Sequence, residues 1–265
     1  MSDERWWGSH DIPSGGRLEL TLGPLTLWVS RFEREWRVGA VRDDDTLRSG
    51  AAVTLFDGRE PVERPDDTAW DRFAQRETAG SVTLTPGLMD RAFVVRPYAK
   101  LHLLPTQEVV VYVTTPLVVR ITDEQAAAPM VDVPVTRPSE TWYGADTMNG
   151  SVCYAGRTHA RLQPEQLERR ASRATTAIRF VNRSEEPHWV EHLYVPVTRM
   201  ALWEDPTTGA LLTDAITVTH DRDHEETEVR RGPPCEGALR VSTPRESQQG
   251  VSVLHMLNQF WGAGG

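Results

Sequence analysis

The sequence predicts an all-β fold: sandwich-like antiparallel sheets with a few short helices. Three observations predict it. Arg91–Ile121 (RAFVVRPYAKLHLLPTQEVVVYVTTPLVVRI) is dense in Val, Ile, Thr and Tyr, whose branched or aromatic side chains pack well on a pleated surface. Pro97, Pro105 and Pro116 cut that run into short pieces; proline has no N–H for a ladder and marks strand starts, edges and turns. Strand-like segments recur roughly every ten residues, the spacing of sandwiches and barrels. No fixed-period repeat points instead to a solenoid or propeller.

The elements follow in order. Arg17–Leu22 (RLELTL) puts Leu18, Leu20 and Leu22 on one face and Arg17, Glu19 and Thr21 on the other, the period of a half-buried strand. Gly23-Pro24 is a turn, and Leu25–Ser30 and Trp36–Val41 continue the meander. Thr68–Glu77 reads as a helix, with Thr68 as N-cap, Asp71 three residues on in a capping-box arrangement, and Trp70 and Phe73 sharing a face. Val109, Val111 and Val113 share one face of a later strand and Val110 and Tyr112 the other. With both faces apolar, that strand is expected to be central and covered on both sides. Gln163–Arg170 reads as a second short helix with Pro164 near its first turn. Strands then recur at Thr176–Asn182, His188–Val195, Met200–Trp203 and Leu211–Thr219, and Val251–Trp261 has Val251, Leu254, Leu257 and Trp261 at helical spacing. The loop Gln125–Pro129 divides an N-terminal β domain, residues 1–125, from a C-terminal β domain, residues 126–265, with a terminal helix; a single merged domain is the alternative.

Composition narrows the function classes. With 265 residues, 39% of them hydrophobic, the chain has material for a substantial core. A formal net charge of -9 argues against general affinity for nucleic acid or anionic lipid, both of which need clustered cations. Lys100 is the sole lysine, and the 28 arginines read as coding bias rather than as guanidinium sites. Two cysteines, Cys153 and Cys235, do not make a disulfide framework. The start, MSDERWWGSH, has no apolar leader, and no run approaches the roughly 18 apolar residues of a spanning helix. Cytoplasmic localisation is therefore expected, with no membrane insertion.

No catalytic set is recognisable: G-x-S-x-G, P-loop and dinucleotide glycine patterns are missing from the sequence. No cofactor is expected. His188 and His192 in PHWVEH would share a helix face, but their flanks are strand-like, where positions four apart lie roughly 13 Å apart. His220 and His224 in HDRDHEE read as a solvated hairpin end. No metal site is expected from either pair. Cys153, between Val152 and Tyr154 in an apparent strand, reads as structural, because a nucleophilic thiol needs a helix N-terminus or a cation beside it.

Two surfaces stand out as binding candidates. Trp142, Tyr143 and Asp146 lie in one segment with Tyr154 and Arg157 close behind, a set suited to a pocket with one guanidinium for an anionic group. The plainer reading makes Trp142 and Tyr154 core and pairs Arg157 with an acid. Trp6 and Trp7 at one end and Leu257, Phe260 and Trp261 at the other supply apolar groups for a protein partner. The nine tryptophans are scattered without period, which favours packing over a sugar-stacking platform.

The segment TTPLVVRI…VDVPVTRPSETWYGADTMNGSVCYAGRTHARL carries Thr115-Pro116, Asp132-Val133-Pro134, Tyr143-Gly144, and then Gly150, Cys153, Tyr154 and Arg157 in order. In these motifs the chain resembles the domain of unknown function 432 family, over roughly residues 91–196. The resemblance carries no reaction. It implies a mostly-β fold and a cytoplasmic accessory role beside small-conductance mechanosensitive channels. The expected function is thus a non-catalytic binding or assembly protein, an accessory to such a channel. The alternative is a small-ligand or carbohydrate-binding module, or an enzyme, with its site near Trp142–Arg157.

Overall fold

The computed structural model describes residues 5–46, 48–58, 68–144, 150–222, 224–246 and 256–257. It is all-β, with two single-turn 3₁₀ segments as its described helices. The chain forms two compact units that interleave along the sequence instead of meeting at one boundary near residue 125. One comprises residues 1–87, 116–137 and 170–173; the other comprises 88–115, 138–169 and 174–265.

In chain order the first unit supplies β1 (Gly8–Asp11), β2 (Arg17–Leu22), β3 (Leu25–Phe32), β4 (Glu35–Arg42), β5 (Ala51–Phe56), β6 (Trp70–Ala74) and β7 (Ser81–Gly87). The second begins with β8 (Phe93–Pro97), β9 (Leu101–Leu103) and β10 (Glu108–Pro116). The chain returns to the first for β11 (Val118–Asp123) and β12 (Val131–Pro134). β13 (Glu140–Gly144), β14 (Gly150–Thr158), β15 (Arg173–Asn182), β16 (His188–Val190), β17 (Leu193–Val195) and β18 (Leu202–Glu204) follow. β19 (Leu211–Thr213), β20 (Ala215–Asp221), β21 (His224–Arg230), β22 (Leu239–Ser242) and β23 (Met256–Leu257) complete the order.

The first unit holds a five-stranded sheet, β5-β2-β3-β4-β6, and a four-stranded one, β1-β7-β11-β12. The alternation of RLELTL holds from Leu18 on: Leu18, Leu20 and Leu22 are fully buried and Glu19 and Thr21 half-exposed, while Arg17, expected on the polar face, is buried with its guanidinium over the Phe56 ring. Gly23 makes the β2–β3 turn with φ 54°, a left-handed conformation that glycine adopts without a Cβ penalty. One polar anchor sits in this core. The Trp36 indole N–H donates to Asp123 Oδ2 at 2.6 Å. Asp123 is wholly buried, and the backbone N–H of Gln125 donates to its other oxygen at 2.7 Å.

The second unit holds the sheet β13-β14-β8-β17, the pair β16-β9, and an eight-stranded sheet, β22-β18-β19-β15-β20-β21-β23, in which β10 also pairs with β15. β15 alternates strictly between half-exposed and buried residues, with Ala174, Thr176, Ile178, Phe180 and Asn182 inward. β10 departs from expectation. Val111 and Val113 are buried, but Val110 on the opposite face is 37% exposed, so only one face is covered.

Two of the three expected helices are corrected, and the third falls mostly outside the described residues. Thr68–Glu77 contains strand β6, which pairs with the edge of β4 in the register Trp36↔Phe73 and Gly39↔Trp70. Trp70 covers Gly39 closely enough that a Cβ there would lie 3.0 Å from the ring, and long-range edge pairing overrides the local capping signal. Gln163–Arg170 keeps a single 3₁₀ turn, Pro164–Gln166; Gln163 makes no side-chain cap, and the turn buries nothing that would hold a longer helix. Within Val251–Trp261, Met256–Leu257 is strand and pairs with β21; the rest of that segment lies outside the described residues.

Trp36→Phe removes the donor to a buried carboxyl and leaves a small void where the larger indole packed. It is expected to cost roughly 1.5–3 kcal/mol, read as a lower urea midpoint; an unchanged midpoint would show that this anchor contributes nothing.

Candidate functional site

Five residues, Trp142, Tyr143, Asp146, Tyr154 and Arg157, were expected to line one pocket. The register of the β13–β14 hairpin separates them. Trp142 faces Val152 and Glu140 faces Tyr154 across the ladder, which places these four on one side. Tyr143 and Cys153 belong to the other, because successive side chains on a strand alternate. Arg157 lies six residues beyond Ser151, the partner of Tyr143, about 20 Å along β14. Arg157 is exposed, with its guanidinium 5.9 Å from the Tyr98 ring. The Tyr154 hydroxyl donates to Asp90 Oδ1 at 2.8 Å. Asp146 lies outside the described residues. No common pocket gathers the four that are described.

Each face of the hairpin has its own character. Outward, Trp142 is 47% and Val152 43% exposed. The Trp142 ring lies over Gly150, where a Cβ would stand 2.7 Å from it. β13 ends its sheet, with β14 as its one strand neighbour among the described residues. Inward, Cys153 packs with Ala92 and Val94, and Tyr143 and Tyr194, whose rings stack on each other at 4.9 Å, pack against this cluster. Burial pushes the Cys153 thiol and both phenols up; for Tyr143 the charge of nearby Glu225 adds to the effect. Cys153 and Cys235 are both free thiols.

A second cluster brings together groups that the sequence reading kept apart. His188 opens β16, His220 lies near the end of β20, and Glu225 sits on β21. One ligand atom from each lies within 4.8 Å of the other two. The His188 and His220 rings stack at 3.7 Å, and His188 Nε2 is 3.7 Å from Glu225 Oε2. The β20–β21 hairpin sets one contact: Asp221 pairs with His224, so His220 stands opposite Glu225. Arg222 takes φ 53° in this turn, in the left-handed region that tight hairpin loops require. Along β21, Glu226 and Glu228 are exposed while Glu225 turns inward. HDRDHEE is therefore a solvated hairpin end on one face only.

His188 arrives through the β15–β16 turn. Asn182, the last residue of β15, is the register partner of His220, and His188 pairs with Leu103 on β9. Burial, and then the neighbouring His220, hold the His188 imidazole down to about 4, so it is neutral at physiological pH. Burial pushes the Glu225 carboxyl up. His192 is not in this cluster; burial and then Arg96 lower its imidazole. Drawing the hairpin register would have found His220 opposite Glu225. Nothing local in PHWVEH signals the contact with His188.

The proposed partner residues divide similarly. Trp6 is 1% exposed and its indole N–H donates to the Ala171 carbonyl at 3.2 Å, so it offers no docking surface. Trp7 is half-buried and meets Trp6 edge-on. Leu257 lies in β23, and Phe260 and Trp261 are outside the described residues. Most tryptophans pack, as Trp28 does against Trp70 at 6.5 Å. Among the described residues Trp142 and Trp189 are the exposed tryptophans, and Trp189 stacks on His102 at 4.0 Å.

The profile of the family described as "Protein of unknown function (DUF432)" matches residues 6–257. The chain belongs to that family, and the likeness extends over nearly its whole length instead of stopping at residues 91–196. No curated protein and no solved structure matches it.

The cysteines supply a direct check. Cys153 is buried with its thiol pushed up, which lowers the thiolate fraction at any given pH; Cys235 is also pushed up but half-exposed. A disulfide-exchange reagent at pH 8 is expected to titrate Cys235 in the native protein and Cys153 only after unfolding. Rapid native modification of a Cys235→Ser variant would contradict this burial.

Proposed function

We propose that this member of the DUF432 family is a non-catalytic binding and assembly protein that docks an extended, basic segment of a partner protein along β13. The supporting observation is the outward pair Trp142 and Val152 on the edge of a sheet. An edge strand presents backbone N–H and C=O groups that a further strand can pair. In such strand addition the main chain supplies affinity and alternate side chains supply specificity. Tryptophan is the residue type most enriched at binding hot spots. Here its ring rests against Gly150, which limits the side-chain freedom lost on binding.

Charge favours a basic occupant. With a net charge of -9, the protein steers cationic segments toward itself. Cytoplasmic loops of membrane proteins carry an excess of Lys and Arg. That composition, with the family resemblance, makes the cytoplasmic part of a small-conductance mechanosensitive channel the first partner to test. A role at the cytoplasmic side of the membrane is part of the same proposal.

Trp142→Ala is expected to weaken capture of that segment at least tenfold, or about 1.4 kcal/mol. Gly150→Ala should weaken it as well, by displacing the ring, and binding should fall as salt rises. Full-strength binding by both variants, or no co-purification with the channel at low salt, would overturn the proposal. Glycan binding lost on Trp142→Ala would favour the carbohydrate alternative instead.

A further inference from the structure

We propose that His188, His220 and Glu225 form a binding site for one divalent transition-metal ion of the zinc class. This goes beyond the docking role and does not depend on it. The three side chains come from three strands, β16, β20 and β21, and converge to within 4.8 Å. Tetrahedral zinc with bonds of about 2.0–2.1 Å separates its ligand atoms by roughly 3.3 Å. The 3.7 Å between His188 Nε2 and Glu225 Oε2 is close to that value; the His188 and His220 rings, stacked 21° from parallel, must turn out of the stack for both in-plane lone pairs to meet one ion.

The donor set selects the class of ion. Two imidazole nitrogens and one carboxylate suit zinc and its first-row neighbours; calcium and magnesium take oxygen ligands. Imidazole binds metal through a ring nitrogen in its neutral form. The His188 side chain is 16% and the Glu225 side chain 19% exposed, so the site is sheltered yet reachable. His188 Nε2 lies 3.7 Å from Glu225 Oε2, the ion-pair contact of this carboxylate among the described residues. A divalent cation held among the three groups would bring positive charge directly beside this half-buried carboxyl group. Three protein ligands leave a fourth position for water or for a donor from a partner.

The site is also braced. The Asn182 side chain donates to the carbonyls of Leu103, Leu104 and Glu186, and its oxygen accepts from the Ser184 N–H and hydroxyl. These bonds fix the turn that carries His188 beside the strand that carries His220. Ligands held by packing and neighbouring hydrogen bonds bind metal better than ligands on a free loop.

The test uses the full chain after dialysis against chelator. Calorimetry with zinc chloride, with elemental analysis of the dialysed complex, is expected to give one ion per chain. Cobalt(II) should give visible bands of tetrahedral intensity. His220→Gln and Glu225→Gln should each weaken zinc binding at least tenfold and lose the rise in Tm that zinc gives the wild type. His188→Gln serves as the third variant should either of these fail to fold in chelator. His102→Ala, whose ring stacks on Trp189 outside the cluster, should bind normally. Absence of stoichiometric zinc, unchanged affinity in folded variants, or equal preference for calcium would overturn the proposal. Trp142→Ala should leave zinc binding intact, so this site and the β13 docking face can fail independently.

Discussion

The arrangement of the second unit's functional groups rests on one buried amide. Asn182 is 1% exposed, and both ends of its side chain are used inside the protein. Its N–H₂ group gathers carbonyls from β9 and from the following turn, while its oxygen caps that turn at Ser184. A buried amide costs several kcal/mol unless it is bonded in this way, and satisfied networks specify one arrangement. The register then carries the constraint outward: Asn182 to His220, His220 to Glu225, and β9 to His188. An aliphatic residue would fill the space equally well and would fix none of these relations.

The period of two does comparable work in the β13–β14 hairpin. Adjacent residues face opposite ways, so one short strand offers Trp142 outward and Tyr143 inward. The outward face keeps apolar area at an edge, where it can be covered by an added strand. The inward face stacks Tyr143 on Tyr194 over Cys153 and draws its phenol near Glu225. The same hairpin that spreads the expected pocket residues over two faces therefore gives each face a separate task.

What was legible in the sequence follows from what is local. Alternation in RLELTL, the valine-rich runs and the Gly23-Pro24 turn depend on neighbours within a few residues, and they predict strands correctly, with burial missed at Arg17 and on the outer face of β10. The capping signal at Thr68 is also local, yet β4 offered an open edge and Phe73 paired with Trp36. Grouping Trp142 with Arg157 treated closeness in sequence as closeness in space, which fails on a strand that advances about 3.3 Å per residue. His188 and His220 are 32 residues apart in number, and two turns and a parallel register bring them together. Such a contact leaves no periodic trace.

The two proposed sites meet at a single residue pair. Trp142 belongs to the docking face, and the next residue, Tyr143, feels the charge of Glu225. A cation on Glu225 would cancel that charge beside a buried phenol. A ligand shifts an equilibrium only by its differential affinity for the two states. For metal to influence docking, the ion must therefore bind differently when β13 is paired with a partner strand, and Tyr143 is where that difference would arise. By reciprocity, a partner on β13 would alter metal affinity by the same factor. The opposite faces of one strand thus supply a short physical route between the proposed docking edge and the proposed ion site.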